Sequence, residues 1–387
     1  MFKTIKFEEL YLEPTRNGLT RPSKVRGNGI KMINMGELFS YSRINNPPME
    51  RVLVNEKEYQ NFRVEKNDLL FARQSLVAEG AGKCSIVIDT AEKTVFESHL
   101  IRLRLDNSLA DPFYYYYYFQ SEIGRGIVQG MVMEVAASGI RGSDLAKIKV
   151  LYPKLQIQQR IAAILNAYDN LMEVNNQRIK LLEETARELY KEWFVRMRFP
   201  GYKKEKFVKG VPEGWTIDKV KNIVDRRKFG KTYKIDALKN EGKVVVIDQS
   251  TEALLGYHNN EPDHMATSDN PMIIFGDHSC KMQLMIEPFS LAENVIPVAS
   301  KNGIPIYYLY FLIESLVETT EYKRHWNDLV TKSVFIVDPI LQKMYSEIVK
   351  PFFEQIELLK KQNIQLLQIR DRLLPRLISG KLEVKEN

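Results

Sequence analysis

The stretch Gln177–Leu189, QRIKLLEETAREL, recurs near the end of the chain as Gln362–Leu374, QNIQLLQIRDRLL. Four aliphatic positions and one arginine are identical in the two stretches, each displaced by 185 residues. Similarity at one fixed displacement indicates a duplicated structural unit. These two stretches therefore predict that one plan is built twice in this chain.

Further matching pairs lie upstream of these helical stretches. They are Pro153 with Pro339, displaced by 186, Pro112 with Pro305, displaced by 193, and Leu69–Phe71 with Ile273–Phe275, displaced by 204. The displacement decreases along the chain, as expected if the second copy lost short loops between the same elements. The predicted order is a globular unit, a long helix, a second globular unit and a second long helix.

Apolar residues at spacings of three and four follow both helical regions, which is the pattern of a coiled-coil seam. In the first region they are Ile157, Ile161, Ile164, Tyr168, Leu171, Asn175, Leu182, Ala186, Leu189 and Trp193. In the second they are Met344, Ile348, Phe352, Ile356, Leu359, Asn363, Leu366, Ile369, Leu373 and Leu377. The two asparagines either fix the register of the helices or are exposed positions.

The ends of the helices are marked by helix-capping and helix-breaking residues. Asp338–Pro339 is typical of an N-cap and first turn, whereas Pro200–Gly201 and Ser379–Gly380 are typical of stops. Pro351 predicts a kink in the second helix or a delay of its regular part by a turn. Chain direction allows the helices to pair only as an antiparallel hairpin, about 60 Å long for about 40 residues.

The globular units are predicted to mix strands and helices. Strands are expected at Cys84–Ile88, Leu100–Leu105 and Lys243–Ile247, and buried helices at Phe113–Phe119 and Tyr307–Leu312. The fold class is therefore α+β, with two mixed globular units, two long antiparallel coiled-coil helices and a pseudo-two-fold repeat. The predicted boundaries are 1–152 and 200–338 for the globular units, and 153–199 and 339–387 for the helices.

The composition is that of an ordinary globular protein, with 387 residues, 44% of them hydrophobic and 27% charged. Two cysteines, Cys84 and Cys280, are too few for a disulfide framework or a four-thiolate zinc site. The first residues, MFKTIKFEEL, lack the apolar core of a signal peptide, and no stretch reaches the ~18 apolar residues of a membrane span. A cytoplasmic location is expected.

The positive charge is concentrated in two segments. Lys203–Lys243 contains thirteen Lys and Arg and six Asp and Glu. This excess of positive charge equals the net charge of +7 of the whole chain. Met1–Lys31 contains seven Lys and Arg and three acidic residues. A basic run is often only a solvated face, but two runs at matching places in a repeat suggest a polyanionic partner.

Motifs for catalysis are incomplete. Asn46–Met49, NPPM, lacks the aromatic residue of the adenine-methyltransferase motif, and Gly80–Cys84, GAGKC, lacks the upstream glycine and the hydroxyl residue of a phosphate loop. Adjacent residues of Phe275–Ser279, FGDHS, cannot form a catalytic relay, and the five histidines show no metal-ligand spacing. The sequence predicts a binding protein without a catalytic or metal site.

Four motifs within this plan resemble the specificity subunit of type I restriction-modification systems. They are Pro153–Leu165 (PKLQIQQRIAAIL), Leu189–Val195 (LYKEWFV), Val211–Trp215 (VPEGW) and Arg370–Gly380 (RDRLLPRLISG). The resemblance covers essentially the full length, although the first unit lacks the entry motif found at Pro212–Trp215. It implies two target-recognition domains, each reading half of a bipartite DNA sequence, with the helices as a ruler between them. Because the two units differ in sequence, we expect the two half-sites to differ and the target to be asymmetric.

The resemblance also implies partners. Two modification subunits, which bind S-adenosylmethionine, would dock on the helices, and two ATP- and Mg-dependent restriction subunits would join them, so that this chain holds no cofactor. Alternatives are the DNA-reading subunit of a related restriction system, which co-purification with a methyltransferase would test, and a coiled-coil scaffold without a nucleic-acid role. A scaffold would show no steep fall of DNA binding with salt.

The candidate DNA contacts divide into phosphate-binding and base-reading side chains. In the first unit the candidates are Arg21, Lys24, Arg26, Asn28, Lys31, Arg73 and Lys83. In the second unit the phosphate candidates are Arg226, Arg227, Lys231 and Lys234, and the base candidates are Gln249, Ser250 and Tyr257. The segments Ile247–Ser250 and Phe275–Ser279 resemble recurrent signatures of recognition domains. For each residue the alternative is a solvated surface position.

Overall fold

The structure, a computed structural model, describes residues 2–75, 80–134, 139–249, 254–319, 321 and 323–384. The chain forms two compact units. Unit 1 consists of Met1–Met172 and Ile364–Asn387, and unit 2 consists of Glu173–Asn363. Both units mix helices and strands, which confirms the predicted α+β class. The predicted domain boundaries stay predictions.

The chain up to the end of the first long helix supplies ten strands and six helices among the described residues. The strands are β1 (Lys3–Lys6), β2 (Tyr11–Asn17), β3 (Arg26–Ile33), β4 (Arg43–Asn45), β5 (Arg51–Val52), β6 (Leu69–Ala72), β7 (Cys84–Asp89), β8 (Thr94–Phe96), β9 (Leu100–Leu105) and β10 (Lys149–Tyr152). The helices are α1 (Met35–Ser40), α2 (Glu56–Phe62), α3 (Pro112–Gln120), α4 (Glu122–Glu134), α5 (Gly142–Lys147) and the long α6 (Leu155–Tyr190).

The remaining chain continues this numbering. Its strands are β11 (Phe207–Val208), β12 (Val211–Pro212), β13 (Thr216–Lys219), β14 (Val224–Arg226), β15 (Val244–Ile247), β16 (Leu254–His258), β17 (Met272–Gly276), β18 (Met282–Met285), β19 (Phe289–Leu291), β20 (Val295–Ser300) and β21 (Ser333–Ile336). Its helices are α7 (Val220–Ile223), α8 (Ile306–Ile313), α9 (Trp326–Thr331) and the long α10 (Pro339–Ile378).

The strand order repeats from one unit to the other. Unit 1 contains sheets ordered β2-β9-β6-β7-β4, β5-β3-β8 and β1-β10, and unit 2 contains β14-β20-β17-β18, β16-β15-β19 and β13-β21. In each small three-stranded sheet the central strand is antiparallel to one neighbour and parallel to the other. The predicted internal repeat is therefore confirmed in the strand order, and unit 1 differs by the additional strand β4.

The helix ends agree only in part with the sequence signals. Asp338 caps α10, because its carboxylate accepts a hydrogen bond of 2.7 Å from the Ile340 amide, and Gly380 follows the helix at a φ of 74°. Helix α6 continues as a π-helical segment, Lys191–Val195, and ends before the predicted stop at Pro200. Helix α10 runs without interruption through Pro351, so the predicted delay of its regular part is wrong.

The predicted seam is wrong at the start of α10. Met344 and Ile348 are 37% and 41% exposed, whereas the neighbouring Tyr345 and Val349 are fully buried. The helices begin 184 residues apart, at Leu155 and Pro339, rather than 186 apart as the proline match predicted. At the start of α10 the buried face lies one residue further along than the predicted seam.

Two other seam predictions also fail, because Leu171 and Ile369 are 48% and 44% exposed. Each part of the two long helices buries the face that packs against the core of its own unit. A seam with regular spacings of three and four residues does not predict this buried face, since it assumes that the helices pack only on each other.

Aromatic side chains form much of both cores. The five tyrosines Tyr114–Tyr118 of α3 are buried in unit 1, as predicted, together with Leu374 and Leu377 of α10. In unit 2 the LYKEWFV segment inserts Phe194, whose ring centroid lies 5.0 Å from that of Tyr308 and 5.5 Å from that of Tyr345. The two family-like helical motifs thus supply core residues.

Buried polar side chains join the two long helices within each unit. In unit 1, Asp169 is 6% exposed and accepts hydrogen bonds of 2.6 Å from the Tyr117 hydroxyl and from Arg370 Nη1. In unit 2, the Asn175 amide donates to Asn363 Oδ1 at 2.9 Å, so the two asparagines of the predicted seam do meet.

Among the residues that the structure describes, no helix is long and apolar enough to cross a membrane.

Candidate nucleic-acid interface

The two basic segments occupy equivalent places in the repeated strand order. The basic segment Met1–Lys31 of unit 1 spans β1, β2 and most of β3, and Lys203–Lys243 of unit 2 spans β11 to β14 and the chain up to β15. Both therefore include the connection from an edge strand of the large sheet to the central strand of the small sheet. Strands β2 and β14 are edge strands of the large sheets, and β3 and β15 are the central strands of the small sheets. The basic residues that lie at matching places in the sequence repeat therefore also lie beside equivalent strands of the two units.

The basic segment of unit 1 contains a bulge in β3. Arg26 and Ile30 both face Val52 of β5, so residues 27–29 bulge from the ladder. Gly27 and Gly29 have φ values of 110° and 103°, which side chains rarely adopt. A Cβ on Gly29 would lie 2.2 Å from the Val52 carbonyl oxygen. Glycine is therefore required for this bulge, at whose centre Asn28 is exposed.

Three predicted cations of unit 1 form ion pairs with glutamates. Arg21 Nη2 lies 2.6 Å from Glu58 Oε1, Arg26 Nη1 lies 2.6 Å from Glu50 Oε2, and Lys31 Nζ lies 2.8 Å from Glu92 Oε1. We call Glu50, Glu58 and Glu92 the unit 1 glutamates. Their charges compensate three of the cations that were predicted to meet phosphate.

Arg51, which is not among the residues predicted from the sequence, is a fourth cation at this surface. Its Nη2 donates to both oxygens of Glu92, at 3.1 and 2.8 Å, and its Nη1 donates to the Gly29 carbonyl oxygen at 3.0 Å. Hydrogen bonds from Lys31 and Arg51 lower the pKa of Glu92, and those from Arg21 and the Asn55 amide lower that of Glu58. Arg51 stands outside the basic run, so charge counting along the chain does not identify it.

The other candidates of unit 1 lie apart from these ion pairs. Lys24 is exposed in a short 3-10 turn, and Arg73 follows β6 in a half-buried position. Lys83 donates to the Phe39 carbonyl oxygen at 2.8 Å, and its ammonium lies 5.1 Å from the centre of the Phe39 ring. Burial, followed by the charge of Arg125, lowers the pKa of Lys83. Lys83 is thus held by local contacts.

In unit 2 the candidate cations lie in residues 226–234, which begin at the last residue of β14 and which we call the basic loop. Arg226, Arg227, Lys231 and Lys234 are all exposed. The Arg226 guanidinium lies 5.7 Å from the Trp326 ring centre, and the Lys231 ammonium lies 5.6 Å from the Tyr233 ring centre. Arg227 forms an ion pair of 3.2 Å with Asp225. The charges of this loop are therefore less compensated than those of unit 1.

Two buried histidines anchor the backbone of the basic loop. His264 Nε2 bonds the Phe229 carbonyl oxygen at 2.9 Å, and the His258 ring stacks on Tyr233 with a centroid distance of 4.3 Å. His258 Nδ1 accepts a hydrogen bond from the Asn260 amide, while its Nε2 contacts the Ser290 hydroxyl at 2.9 Å. Burial is the main cause that lowers the pKa of His258. The neutral ring therefore fits this site.

Asp263 forms a third anchor of the loop. Its Oδ1 accepts a hydrogen bond of 3.2 Å from the Lys231 amide. Gly230, at a φ of 94°, passes so close that a Cβ there would lie 2.7 Å from Asp263 Cβ. The loop is thus held through its backbone, while its cationic side chains remain available to a ligand.

The base-reading candidates of unit 2 separate into two places. Gln249 Oε1 accepts a hydrogen bond of 3.0 Å from the His278 amide, which brings the two predicted signature segments into contact. Tyr257 lies half-buried in β16 opposite Val245 of β15, and burial raises its pKa. Ser250 lies outside the described residues.

The FGDHS segment has a structural role. Asp277 Oδ1 accepts a hydrogen bond of 2.9 Å from the Trp326 amide, and the Asp277 carbonyl oxygen accepts one of 2.8 Å from the His325 amide. The segment thus positions the ring that lies beneath Arg226. In the part of the chain with described coordinates, no group of three His, Cys, Asp or Glu could hold a metal ion.

Comparisons with known proteins agree with this architecture. Residues 16–184 match the family model described as "Type I restriction modification DNA specificity domain". The chain is 26% identical over 303 residues to the type I restriction enzyme MjaIX specificity subunit of Methanocaldococcus jannaschii, covering 70% of this chain and 69% of that protein. It is 23% identical to the putative MjaX specificity subunit of the same organism, covering 97% of this chain and 92% of that protein.

A solved structure has the same fold. The crystal structure of the type I restriction-modification S subunit from M. genitalium superposes with a TM-score of 0.59 at 16% identity, covering 97% of this chain and 96% of that chain. Family model, curated relatives and fold therefore lead to one assignment. The matched segment, the curated relatives and the solved structure all support a specificity subunit of a type I restriction-modification system.

Proposed function

We propose that the chain reads a bipartite, asymmetric DNA target, with one half-site contacted by each unit. The observation that carries this proposal is the repeated strand order with a basic segment at the same place in both copies. Equivalent scaffolds present equivalent surfaces, whereas the side chains at those surfaces differ between the units. Two different surfaces select two different half-sites, so the target is asymmetric.

The two units use different contacts in this proposal. The exposed cations of the basic loop bind phosphate, which contributes affinity in any sequence context. In unit 1, ion pairs fix the cations beside the β3 bulge, and directed donors of this kind suit base edges. Tyr257 and Gln249 remain base-reading candidates in unit 2, and Lys24, Arg73 and Lys83 remain candidates in unit 1.

The long helices are the proposed docking surface for modification subunits, which restriction subunits then join. Large apolar side chains are exposed on the helices, including Val174 and Leu181 on α6 and Leu358, Ile364 and Leu367 on α10. Exposed apolar residues in such number are typical of protein interfaces. We further propose that the chain is non-catalytic and that S-adenosylmethionine, ATP and Mg bind to the partner subunits.

Methylation mapping tests this function. The chain, co-expressed with the modification subunit of its own system, is expected to direct adenine methylation to one bipartite sequence, and DNA affinity of the complex should fall steeply with salt. Co-purification with a fused restriction-methylation enzyme would instead favour a related system. Salt-independent DNA binding would favour a scaffold, and methylation or cleavage by the isolated chain would contradict a non-catalytic role.

The ruler role of the helices gives a separate prediction. Insertion of four residues, about one helical turn, between Asn176 and Lys180 is expected to change the spacer of the methylated sequence while both half-sites stay the same. The control is a variant with four substitutions of exposed residues in the same segment and no insertion. An unchanged spacer in the methylation map would contradict the role of the helices as a ruler.

A further inference from the structure

We infer that Asn28 and Arg51 read bases in one half-site, and that Glu92 positions Arg51 for this contact. The inference rests on the proposed function and names the side chains that carry it out in unit 1. Arg51 stands on β5, an edge strand of the small sheet, directly beside the bulge of β3. The two side chains are therefore neighbours on one protruding edge.

The bulge exposes Asn28 to a groove of DNA. Residues 27–29 do not pair with β5, and a Cβ built on Gly27 would meet no atom within 4 Å. Open space around the flanking glycine allows another molecule to approach the backbone closely. An asparagine amide offers a donor and an acceptor that match adenine N7 and N6.

Unlike Asn28 at the exposed bulge, Arg51 has a guanidinium that hydrogen bonds hold in one orientation. Three hydrogen bonds to Glu92 and the Gly29 carbonyl oxygen use Nη1 and Nη2. Among the described residues Nε has no partner, and the side chain is 39% exposed. A guanidinium has five N–H donors, so donors beyond these three hydrogen bonds remain for guanine O6 and N7. A fixed donor loses less conformational entropy on binding than a mobile one.

Glu92 is a positioning residue in this scheme. Its carboxylate bridges Arg51 and Lys31, and the Lys31 ammonium also donates to Asn46 Oδ1 at 2.6 Å. Lys31 is thereby held at Glu92 and Asn46, while Arg51 is held at Glu92 and at the Gly29 carbonyl oxygen of the bulge. Replacement of the carboxylate by an amide keeps the shape but weakens both ion pairs, so that Arg51 gains rotational freedom.

Methylation mapping of the complex with Asn28→Ala, Arg51→Ala and Glu92→Gln tests the inference. Each of the first two variants is expected to relax one base pair of a single half-site by about tenfold or more, with the other half-site unchanged. Glu92→Gln should relax the same base pair as Arg51→Ala, to a smaller extent. Lys149→Ala, which removes an exposed cation from the separate β1-β10 sheet, is the control and should leave the target unchanged.

The possible outcomes separate this inference from the proposed function. Absence of any methylated bipartite sequence with the wild-type chain overturns both. A wild-type target that the Asn28 and Arg51 variants leave unchanged at every position overturns the inference alone, as does a uniform loss of affinity across sequences in a duplex-binding assay. Relaxation by Glu92→Gln at a different base pair overturns the positioning role. Thermal melts of each variant identify loss of folding, and Arg51→Lys then replaces Arg51→Ala, with the same base pair expected to relax.

Discussion

Units 1 and 2 share a strand order but differ in the way their cations are held. In unit 1, arginine and lysine side chains form ion pairs of 2.6 to 2.8 Å with the unit 1 glutamates. In unit 2, the basic loop is anchored through its backbone and its cations are exposed. Arg226 and Lys231 lie over aromatic rings, and Arg227 forms an ion pair with Asp225. One scaffold thus supports a surface of oriented donors and a surface of available charge.

The difference shows how a duplicated fold acquires two specificities. The strand order fixes where a ligand meets each unit, while local partners decide whether a cation is directed or free to follow a phosphate. Directed donors discriminate between bases, and free cations contribute affinity that depends on salt. Variants that exchange these properties would test the comparison.

The largest expected effect concerns the way in which each unit holds the long helices. Asp169→Ala in unit 1 should reduce the free energy of unfolding by about 3 kcal/mol, because it removes the acceptor of the Tyr117 hydroxyl and leaves the partly buried Arg370 paired with the exposed Asp371. Glu314→Ala in unit 2 should cost only about 1 kcal/mol, since its partner Arg187 is 37% exposed. Hydrogen exchange measured by mass spectrometry follows each unit separately.

Tryptophan fluorescence provides an independent control for this first prediction, because all three tryptophans, Trp193, Trp215 and Trp326, belong to unit 2. Asp169→Ala should increase exchange in unit 1 first. Equal destabilisation by the two variants would contradict a larger contribution of the buried Asp169 carboxylate to the free energy of unfolding.

An intermediate effect is expected on the salt dependence of DNA binding. Arg226→Ala with Arg227→Ala should weaken binding about tenfold in every sequence and make the log-log salt slope shallower by up to about 1.8, without relaxing any one base. The matched pair Arg21→Ala with Arg26→Ala should change the slope by less than about 1, because both cations already have glutamate partners. Fluorescence anisotropy at several salt concentrations measures both slopes, and equal slope changes would contradict the distinction between the units.

The smallest effect is expected from pH. Burial lowers the pKa of His258 in the folded chain, so its contribution to stability is present above the unfolded value of about 6.5 and is lost as the pH falls below it. The amides of the basic loop should then exchange faster at pH 5.5 than at pH 7.5, after correction for intrinsic rates. The nearby charges have opposite effects, because Asp263 raises this pKa and Lys231 lowers it.

Unit 1 should respond at lower pH, since hydrogen bonds from Arg21 and from Lys31 lower the pKa of Glu58 and Glu92, respectively. Their contribution is present above the unfolded value of about 4.3 and is lost on further acidification. His258→Phe is the matched control, because it retains an aromatic ring against Tyr233 but cannot be protonated. Simultaneous loss of protection in both segments near pH 6 would contradict the assignment of the anchor to His258.

Periodicity and repetition predicted the parts of the fold that depend on local sequence. The tyrosine run, the strands β7, β9 and β15, and the cap at Asp338 follow from residue patterns within one element. The start of the α10 seam did not, because Tyr345 packs into the aromatic core of unit 2, and a pattern along one helix carries no information about that partner. Local rules fail where distant parts of the chain select the buried face.

The candidate sites show the same limit. Basic composition identified the two segments and most of their cations, but not the carboxylates that hold them. Lys31 meets Glu92 because β3 lies beside β8, and Arg51 joins them because β5 pairs on the other side of β3. Such neighbours depend on strand register, which a single sequence leaves open. The anchoring of the basic loop by His258 and His264 also depends on contacts across the sheet.

The composition of unit 1 has a consequence for biosynthesis. Its core includes Leu374, Leu377 and Ile378 from the last helix, and the ring of Phe2 lies beside Gly380. On the ribosome, the first 172 residues emerge long before the residues that complete their core. Unit 2 is complete once residue 363 has been synthesised, whereas unit 1 is complete only after the last segment has been synthesised. Unit 1 therefore cannot complete its core before the last helix is synthesised, and a truncated translation product would expose an incomplete aromatic core to chaperones and proteases.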